Sequence, residues 1–531
     1  MKPAPLCAFA LLLLCLAAGP LGAAQPAYQL TLLHTNDTHS HHEPQASGEG
    51  GTARQAAVVK QIRATVANTL LVDAGDRFTG TLFHKYYAGK DNIQVMNALG
   101  YDAMTLGNHE FDNGVETLAG FVGGLRFPVV VANLDVSRTP LLAAKIAPST
   151  ILWVGGEKIG LIGLITADTP EVTMNFAGKQ DITWHRDYAA RVNAESQRLQ
   201  AQGVNKIILI THIGLSEDQA LAAQVSGVDV IVGGHSHTLL SNTFKAAGDN
   251  AYPTAVNDAD GNPLYIVQAG DRNRYLGRLD LEFDAQGKVT RARGDTILLS
   301  EYIAPDPAVQ TLLARLAEPV NKLKQTALSS MTGKVVTSEI SLTNADCRTA
   351  ECLLGDLIAD AMRADTGAQI AIQNGGGIRA DIDPGPVTIG EVLSVLPFGN
   401  TIATFKLRGA DLKTALENGV SRYGGDAGSG RFPQVSGMRL RFDPGAPAGA
   451  RITSIDIASA NGSFTALDPA ALYTVATNNF MRTGGDGYGV FVEKAIDPYD
   501  YGRPLEEALI DYLIAHTPLN PALQGRISQV R

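Results

Sequence analysis

Positive charge is scarce in this sequence: 43 Lys and Arg stand against 53 Asp and Glu, a net charge of −10 over 531 residues with a pI near 5.6. That balance excludes a broad basic face of the kind that grips a nucleic-acid polymer, and leaves room for a small anion held by a few local cations. Long apolar runs are equally scarce. The first of them, residues 11–16 interrupted only by Cys15, falls short of the roughly 20 residues that a membrane span needs. Set between Lys2 and Gly22-Ala23-Ala24, it reads as the centre of an export signal over residues 1–24. Its removal leaves 507 residues, a net charge of −11 and only two of the four cysteines, Cys347 and Cys352, which in an oxidising compartment are expected to close a small disulfide loop. Residues 519–531 are polar and offer no hydrophobic tail, which argues against a glycolipid anchor or any other membrane anchor. The expected location is periplasmic or secreted. No G-x-S-x-G nucleophile elbow occurs, so serine-based hydrolysis is not indicated.

A single core stops growing near roughly 250–300 residues, so two domains are expected. Ten of the eleven histidines fall between His34 and His237, and only His516 lies beyond them, which implies two halves with different chemistry. In the first half, short apolar runs at 30–33, 70–72, 129–131, 159–165, 207–210 and 228–232 have the length of buried strands. Amphipathic stretches at 53–66, 188–200 and 217–225 read as helices between them, the alternation of an α/β domain. Over 305–329, Val309, Leu312, Leu313, Leu316, Val320, Leu323 and Leu328 recur mostly at three or four, which predicts a connector helix. The second half carries strand-like runs near 370–373 and 401–407 and helical stretches near 353–363 and 409–417. Neither half contains an internal repeat.

Four of the strand-like runs stop at polar residues: Asp37 and His39 after the first, Asp76 after the second, His212 after the fifth, His235 and His237 after the sixth. Ligands bind outside the carboxyl ends of strands in open α/β sheets, so one shared site explains the pattern. In Asp37-Thr38-His39 and His235-Ser236-His237 the donors sit two apart, and extended backbone turns such residues to the same side. Gly75-Asp76 and Gly107-Asn108-His109-Glu110 add a carboxylate, an amide and an imidazole beside glycines that permit close approach. Seven candidate donors, Asp37, His39, Asp76, Asn108, His212, His235 and His237, exceed one tetrahedral ion and suit two ions sharing Asp76. Carboxylate and imidazole without cysteine suit Zn²⁺ first, with Mn²⁺ or Co²⁺ as alternatives, and argue against a closed structural zinc site. A lone histidine after a strand is ordinarily a packed or surface residue. The ordered set D-x-H, G-D, G-N-H-E, T-H and G-G-H-x-H carries the reading.

With these motifs the sequence resembles the calcineurin-like metallophosphoesterases, and within them the secreted 5'-nucleotidase and UDP-sugar hydrolase family. The likeness runs from Leu33-His34-Thr35-Asn36-Asp37 to Gly484-Gly485-Asp486-Gly487-Tyr488. It implies an α/β protein with a four-layer αββα metal domain over 25–304, a hinge over 305–330 and a C-terminal α/β substrate domain over 331–531. One ion would rest on Asp37, His39, Asp76 and His237, the other on Asp76, Asn108, His212 and His235. Some members carry Gln or Asn at the position of His237, which leaves the metal more open. The resemblance further implies a water bridging two ions roughly 3.5–4 Å apart, acidified to a hydroxide that attacks phosphorus in line. His109 would stabilise charge beside the phosphate, with Asp112 orienting it and Asn108 close to substrate; His109 as a third ligand and Asp112 as a helix cap are the competing readings. His34, His41, His42 and His84 fall to structural or solvated-loop roles.

In the second half, Asn374-Gly375-Gly376-Gly377-Ile378-Arg379 matches the family's G-G-x-I-R motif; glycines bring backbone N–H groups to an anion and Arg379 adds a planar fork. By the same resemblance Arg348, inside the Cys347–Cys352 loop, contacts phosphate, Asp486 holds ribose hydroxyls, and Asn374 meets ribose or phosphate. Phe432 and Phe480 lie in segments resembling those that stack a nucleobase, although isolated Phe residues are ordinarily core. Arg408 reads as surface. The implied activity is an extracytoplasmic 5'-nucleotidase releasing phosphate from nucleoside monophosphates such as AMP, as a monomer or homodimer. UDP-sugar hydrolase, nucleoside di- or triphosphate hydrolase and cyclic phosphodiesterase are the alternatives on the same fold. A non-catalytic nucleotide-binding protein is disfavoured, because every ligand position and His109 are kept.

Overall fold

The strand Tyr28–Thr35 is buried along almost its whole length, as its unbroken leucine run requires. It pairs in parallel with Thr69–Asp73, Leu33 opposite Leu71, and antiparallel with Tyr275–Phe283, Leu32 opposite Leu279. The protein, seen here as a computed structural model, is described for residues 27–530 except 46–47, 173–177, 245–250, 325–326, 329–335, 345, 424–429 and 460–461; the side chains of 171 and 172 are likewise outside the description. The expected leader and the end of the connector therefore lie outside the described residues. Around the first strand a seven-stranded sheet forms in the order Val289–Leu298, Tyr275–Phe283, Tyr28–Thr35, Thr69–Asp73, Ala103–Met104, Val129–Val130, Ile146–Ala147. A second sheet of six strands has Ile207–His212 parallel to both Val230–Val232 and Glu157–Ile165 near its centre.

Alternation along the strands sorts the leucines into layers. Leu30, Leu32, Leu70 and Val72 point into the space between the sheets and meet Ile159, Leu161, Ile208 and Val232 of the other sheet. Leu33 and Leu71 point the opposite way, onto the helices Thr52–Thr65, Lys90–Leu99 and Gly114–Gly124. The far face of the six-stranded sheet is covered by Tyr188–Gln200 and Leu215–Ala222 through Val192, Leu199 and Leu221. The N-terminal domain is therefore a four-layer α/β sandwich.

The helix Pro307–Lys324 buries Val309, Leu313, Leu316 and Val320 in an apolar core that continues into both halves. Beyond it, a five-stranded sheet runs in the order Pro433–Ser436, Ile370–Asn374, Leu472–Asn478, Ile402–Arg408, Ile496–Tyr499, with a four-stranded sheet beside it. Cys347 and Cys352 are joined by a disulfide with Cα atoms 5.0 Å apart, both buried, at the start of the helix Leu353–Thr366. Among the described residues no helix is long and apolar enough to cross a membrane.

Candidate active site

The carboxyl ends of five strands deliver the donors to one place. Asp37 and His39 follow Tyr28–Thr35, Asp76 follows Thr69–Asp73, Asn108 and His109 follow Ala103–Met104, His212 ends its strand, and His235 and His237 follow Val230–Val232. The paired donors do not lie in extended backbone, as their spacing had suggested. Asp37, His39, Asp76, His235 and His237 all adopt positive φ, from 48° to 73°. Such backbone costs a β-carbon-bearing residue about 1–2 kcal/mol each, so the surrounding structure must hold it in place.

Glu110 supplies much of that hold. Fully buried, its carboxylate accepts the backbone N–H groups of Gly107 (2.6 Å), Asp76 (3.0 Å), Arg77 (2.6 Å) and Phe78 (3.2 Å). One side chain thus ties the turn carrying Asp76 to the turn carrying Asn108. Gly75 stands where a β-carbon would enter the Gly107 backbone, so only glycine lets the two turns touch. Behind them Arg77 and Asp73 form a buried ion pair of 3.1 Å.

Ligand atoms of Asp37, His39, Asp76 and His237 all lie within 4.8 Å of one another, and so do those of Asp76, His212 and His235. Asn108 Oδ1 is 3.0 Å from His235 Nδ1. His212 Nδ1 donates to the Ala74 carbonyl at 2.7 Å and His39 Nδ1 to that of Phe78 at 3.1 Å, which turns both Nε2 lone pairs inward. His212 Nε2 then faces Asp76 Oδ2 at 3.0 Å, and neither buried atom has a well-aligned hydrogen-bond partner. His39 Nε2 and His237 Nε2 lie 3.1 Å apart. Burial pushes His39 well down and His235 to about 3, leaving neutral imidazoles suited to ligation. His212 is opposed by burial yet held up at about 9, chiefly by Asp76, so the buried carboxylates need a positive partner. Two divalent cations sharing Asp76 fit this donor set.

His109 stands outside both donor groups. Its Nδ1 is 2.6 Å from Asp112 Oδ2, and its backbone N–H donates to Asp76 Oδ1 at 2.9 Å. Burial disfavours its charge, but Asp112, aided by Asp76, holds its pKa up at about 10. Its Nε2 meets the backbone carbonyl of Tyr501, 392 residues away, at 3.1 Å. The Tyr501 ring lies against His235 and His237 with centroids 5.3 and 4.7 Å apart, and its hydroxyl donates to the Ser236 carbonyl at 3.1 Å. The space left over His39, His109 and His237 is about 30 Å³, closed by Tyr501 and Gly502.

A second cluster forms on the C-terminal domain. Asn374 Nδ2 donates to Asp486 Oδ2 at 2.7 Å, and Gly375 stands where a β-carbon would enter the Cys347 carbonyl, so the disulfide loop bearing Arg348 packs directly on the glycine loop. Arg379 is exposed, its guanidinium 5.8 Å from the Phe398 ring. Two expectations need correction. Phe432 presents no face to solvent: it is fully buried among Tyr423 and Phe442 in the core of the C-terminal sheets, whereas Phe480 is 45% exposed. The glycine loop is not an open nest of N–H groups either, because Gly375 and Gly376 donate to the carbonyls of Phe432 and Gly430 at 2.8 Å each. Those glycines serve backbone approach between segments, which a G-G-G run specifies as well as it specifies anion binding.

His42 is likewise no solvated-loop residue, being buried and 2.9 Å from Asp91. His34 contacts the Tyr252 hydroxyl at 2.8 Å, His84 contacts Asn113, and Arg408 is exposed. The place of Glu110 beside His109 in the sequence does not by itself mark it as the clamp. Asp271, 3.6 Å from His237 Nδ1, and Tyr501 carry no local signal either.

Residues 30–239 match the calcineurin-like phosphoesterase family and residues 331–493 the 5'-nucleotidase C-terminal domain. A 5'-nucleotidase of Diplobatis ommata is 38% identical across 97% of this chain and 92% of its own. The chain belongs to the 5'-nucleotidase family. Among solved structures, a 5'-nucleotidase precursor of Thermus thermophilus is 40% identical over 95% of this chain and 99% of that one, with a TM-score of 0.61. The NAD nucleotidase of Haemophilus influenzae is 27% identical over 95% and 100%, with a TM-score of 0.79. Membership of this family makes the chain a metal-dependent phosphoester hydrolase, and the donor cluster described above is the candidate dinuclear site of that chemistry.

Proposed function

We propose that the chain is an extracytoplasmic 5'-nucleotidase that releases phosphate from nucleoside monophosphates such as AMP. The observation that carries this reading is the union, on one chain, of a shared-Asp76 donor set, an Asp112-charged His109 outside it and an Asn374–Asp486 pair on the other domain. Asp37, His39, Asp76 and His237 would hold one ion, and Asp76, Asn108, His212 and His235 the other. Bound divalent ions, Zn²⁺ first in expectation, supply Lewis acidity to phosphoryl oxygens and acidify a water. His109, kept protonated by Asp112, offers Nε2–H to the charge that builds on the phosphoryl group and its leaving oxygen. Arg348 and Arg379 provide planar forks for phosphate, Asp486 and Asn374 hold the ribose, and exposed Phe480 offers a face to the base.

The Tyr501 carbonyl now occupies the very atom that would serve the phosphate, His109 Nε2. A nucleotide carried by the C-terminal domain therefore reaches the donors only after Tyr501 leaves, and the region around Pro307–Lys324 is the proposed hinge. With the leader expected over 1–24, the location proposed is periplasm or secretion.

The test is phosphate release from AMP, ADP, ATP, NAD, UDP-glucose, cyclic nucleotides and a plain sugar phosphate, after chelation and after adding Zn²⁺, Mn²⁺ or Co²⁺. Metal-restored turnover of AMP above the rest supports the reading. Preference for another member of the panel moves the specificity, and failure to turn over any of them with any metal removes it.

A further inference from the structure

A second cavity, of about 340 Å³, lies on the seam between the domains and shares His41, Gly80 and Gly399 with the space over the donors. Its walls come from three parts of the chain: the loop after the first strand with Leu82 and Phe83, the helix Pro307–Lys324 through Val320 and Lys324, and the C-terminal domain through Leu393, Leu396, Glu506 and Ile510. Leu82, Phe83, Val320, Leu396 and Ile510 are each at most 7% exposed and make the lining apolar. Against that lining stands one acid with an unpartnered oxygen. Lys324 on the rim pairs with Glu43 at 3.9 Å and Arg503 with Glu507 at 3.6 Å. Glu506 is 93% buried by the same measure, and its Oε2 finds no hydrogen-bond donor. Arg272 and Lys85 act on it only at a distance; burial, reinforced by Glu507, pushes its pKa up to about 8.

We propose that this cavity is a binding site for a small organic amine, its apolar body among Leu82, Phe83, Val320, Leu396 and Ile510 and its ammonium on Glu506. A largely apolar pocket of this size with a few converging polar groups is the form that small-ligand sites take. An ammonium donor satisfies the buried carboxyl, which otherwise must keep a proton. Because the walls belong to both domains, an occupant binds only the present arrangement, in which Tyr501 covers the donors. It therefore inhibits without competing with nucleotide. This last step rests on the proposed nucleotidase reading, whereas the binding itself does not.

The probe is benzylammonium chloride, titrated calorimetrically into the metal-loaded protein, with benzyl alcohol as the neutral counterpart. Benzylammonium is expected to bind one per chain, and Glu506→Gln or exchange for the alcohol to weaken it at least about tenfold, the worth of one charged hydrogen bond. Leu393→Phe, which fills the void from another part of its lining, is expected to weaken it too, guarding against a folding defect in the first variant. Equal binding of amine and alcohol, or full binding to both variants, overturns the site. Saturation of the site, at ten times Kd, is expected to raise the ratio of covered to uncovered chains about elevenfold and to lower kcat. Binding without any fall in kcat overturns the inhibitory coupling alone.

Discussion

Replacing Glu110 by Gln separates the account offered here from one in which the donors simply fall into place. The Glu110 carboxylate receives four backbone N–H groups, two on each oxygen. Gln keeps one oxygen and turns an NH₂ toward the other two donors. Two buried N–H groups are left unpaired at about 1–3 kcal/mol each, a loss of about 2–6 kcal/mol. At about 2–4 °C per kcal/mol, the scale for domains of about 150–250 residues, the N-terminal transition should fall by about 4–24 °C. The loss is concentrated on the turns of Asp76 and Asn108, so metal retention should suffer with it. The assay is calorimetry together with metal content after gel filtration in metal-free buffer, with the exposed Glu116→Gln as control. Retention of two ions per chain and a transition within a degree of the control would refute the clamp.

Asp112→Asn should lower kcat by about 10–100-fold with metal content unchanged, because it removes the carboxylate that holds His109 protonated. Since His109 then titrates lower, the alkaline limb of the kcat profile should move to lower pH; an unmoved limb counts against His109 as the acid. Tyr501→Ala gives up ring contacts worth about 0.5–1.5 kcal/mol and a hydrogen bond of about 1 kcal/mol. Steady-state kinetics should then show kcat/KM for AMP rising several-fold, and an unchanged value would mean that Tyr501 does not limit access. Asp356 is buried, both its carboxyl oxygens lack hydrogen-bond partners, and burial outweighs Arg526 to push its pKa up to about 8. Its stabilising share is complete below about pH 4, where the unfolded chain titrates, and is lost as pH rises through about 8. Asp356→Asn should therefore gain on the parent in urea midpoint between pH 5 and 8.5, and a constant difference would show that the group is charged in the fold.

Much of the metal domain was legible because strand burial and strand ends leave local marks. Leu30 to Leu33 must be buried on both sides, and the polar residues just after such runs must lie at the sheet's carboxyl edge. What the spacing of Asp37 and His39 could not carry is their left-handed backbone, which depends on the turns of Asp76 and Glu110 arriving from elsewhere. Tyr501 was invisible for the same reason, since its contact with His109 spans 392 residues. Phe432 was misread because a motif fixes where a residue lies along the chain, while Tyr423 and Phe442 decide which way its ring faces.

The central claim is that two ions sharing Asp76 perform the hydrolysis. It is tested most directly by measuring AMP turnover and bound metal together as Zn²⁺ or Mn²⁺ is titrated into the chelator-stripped chain. The account predicts turnover that reaches its plateau at two ions per chain, and an Asp76→Asn variant that loses both ions and the activity. A plateau at one ion, or turnover that survives stripping, would contradict it.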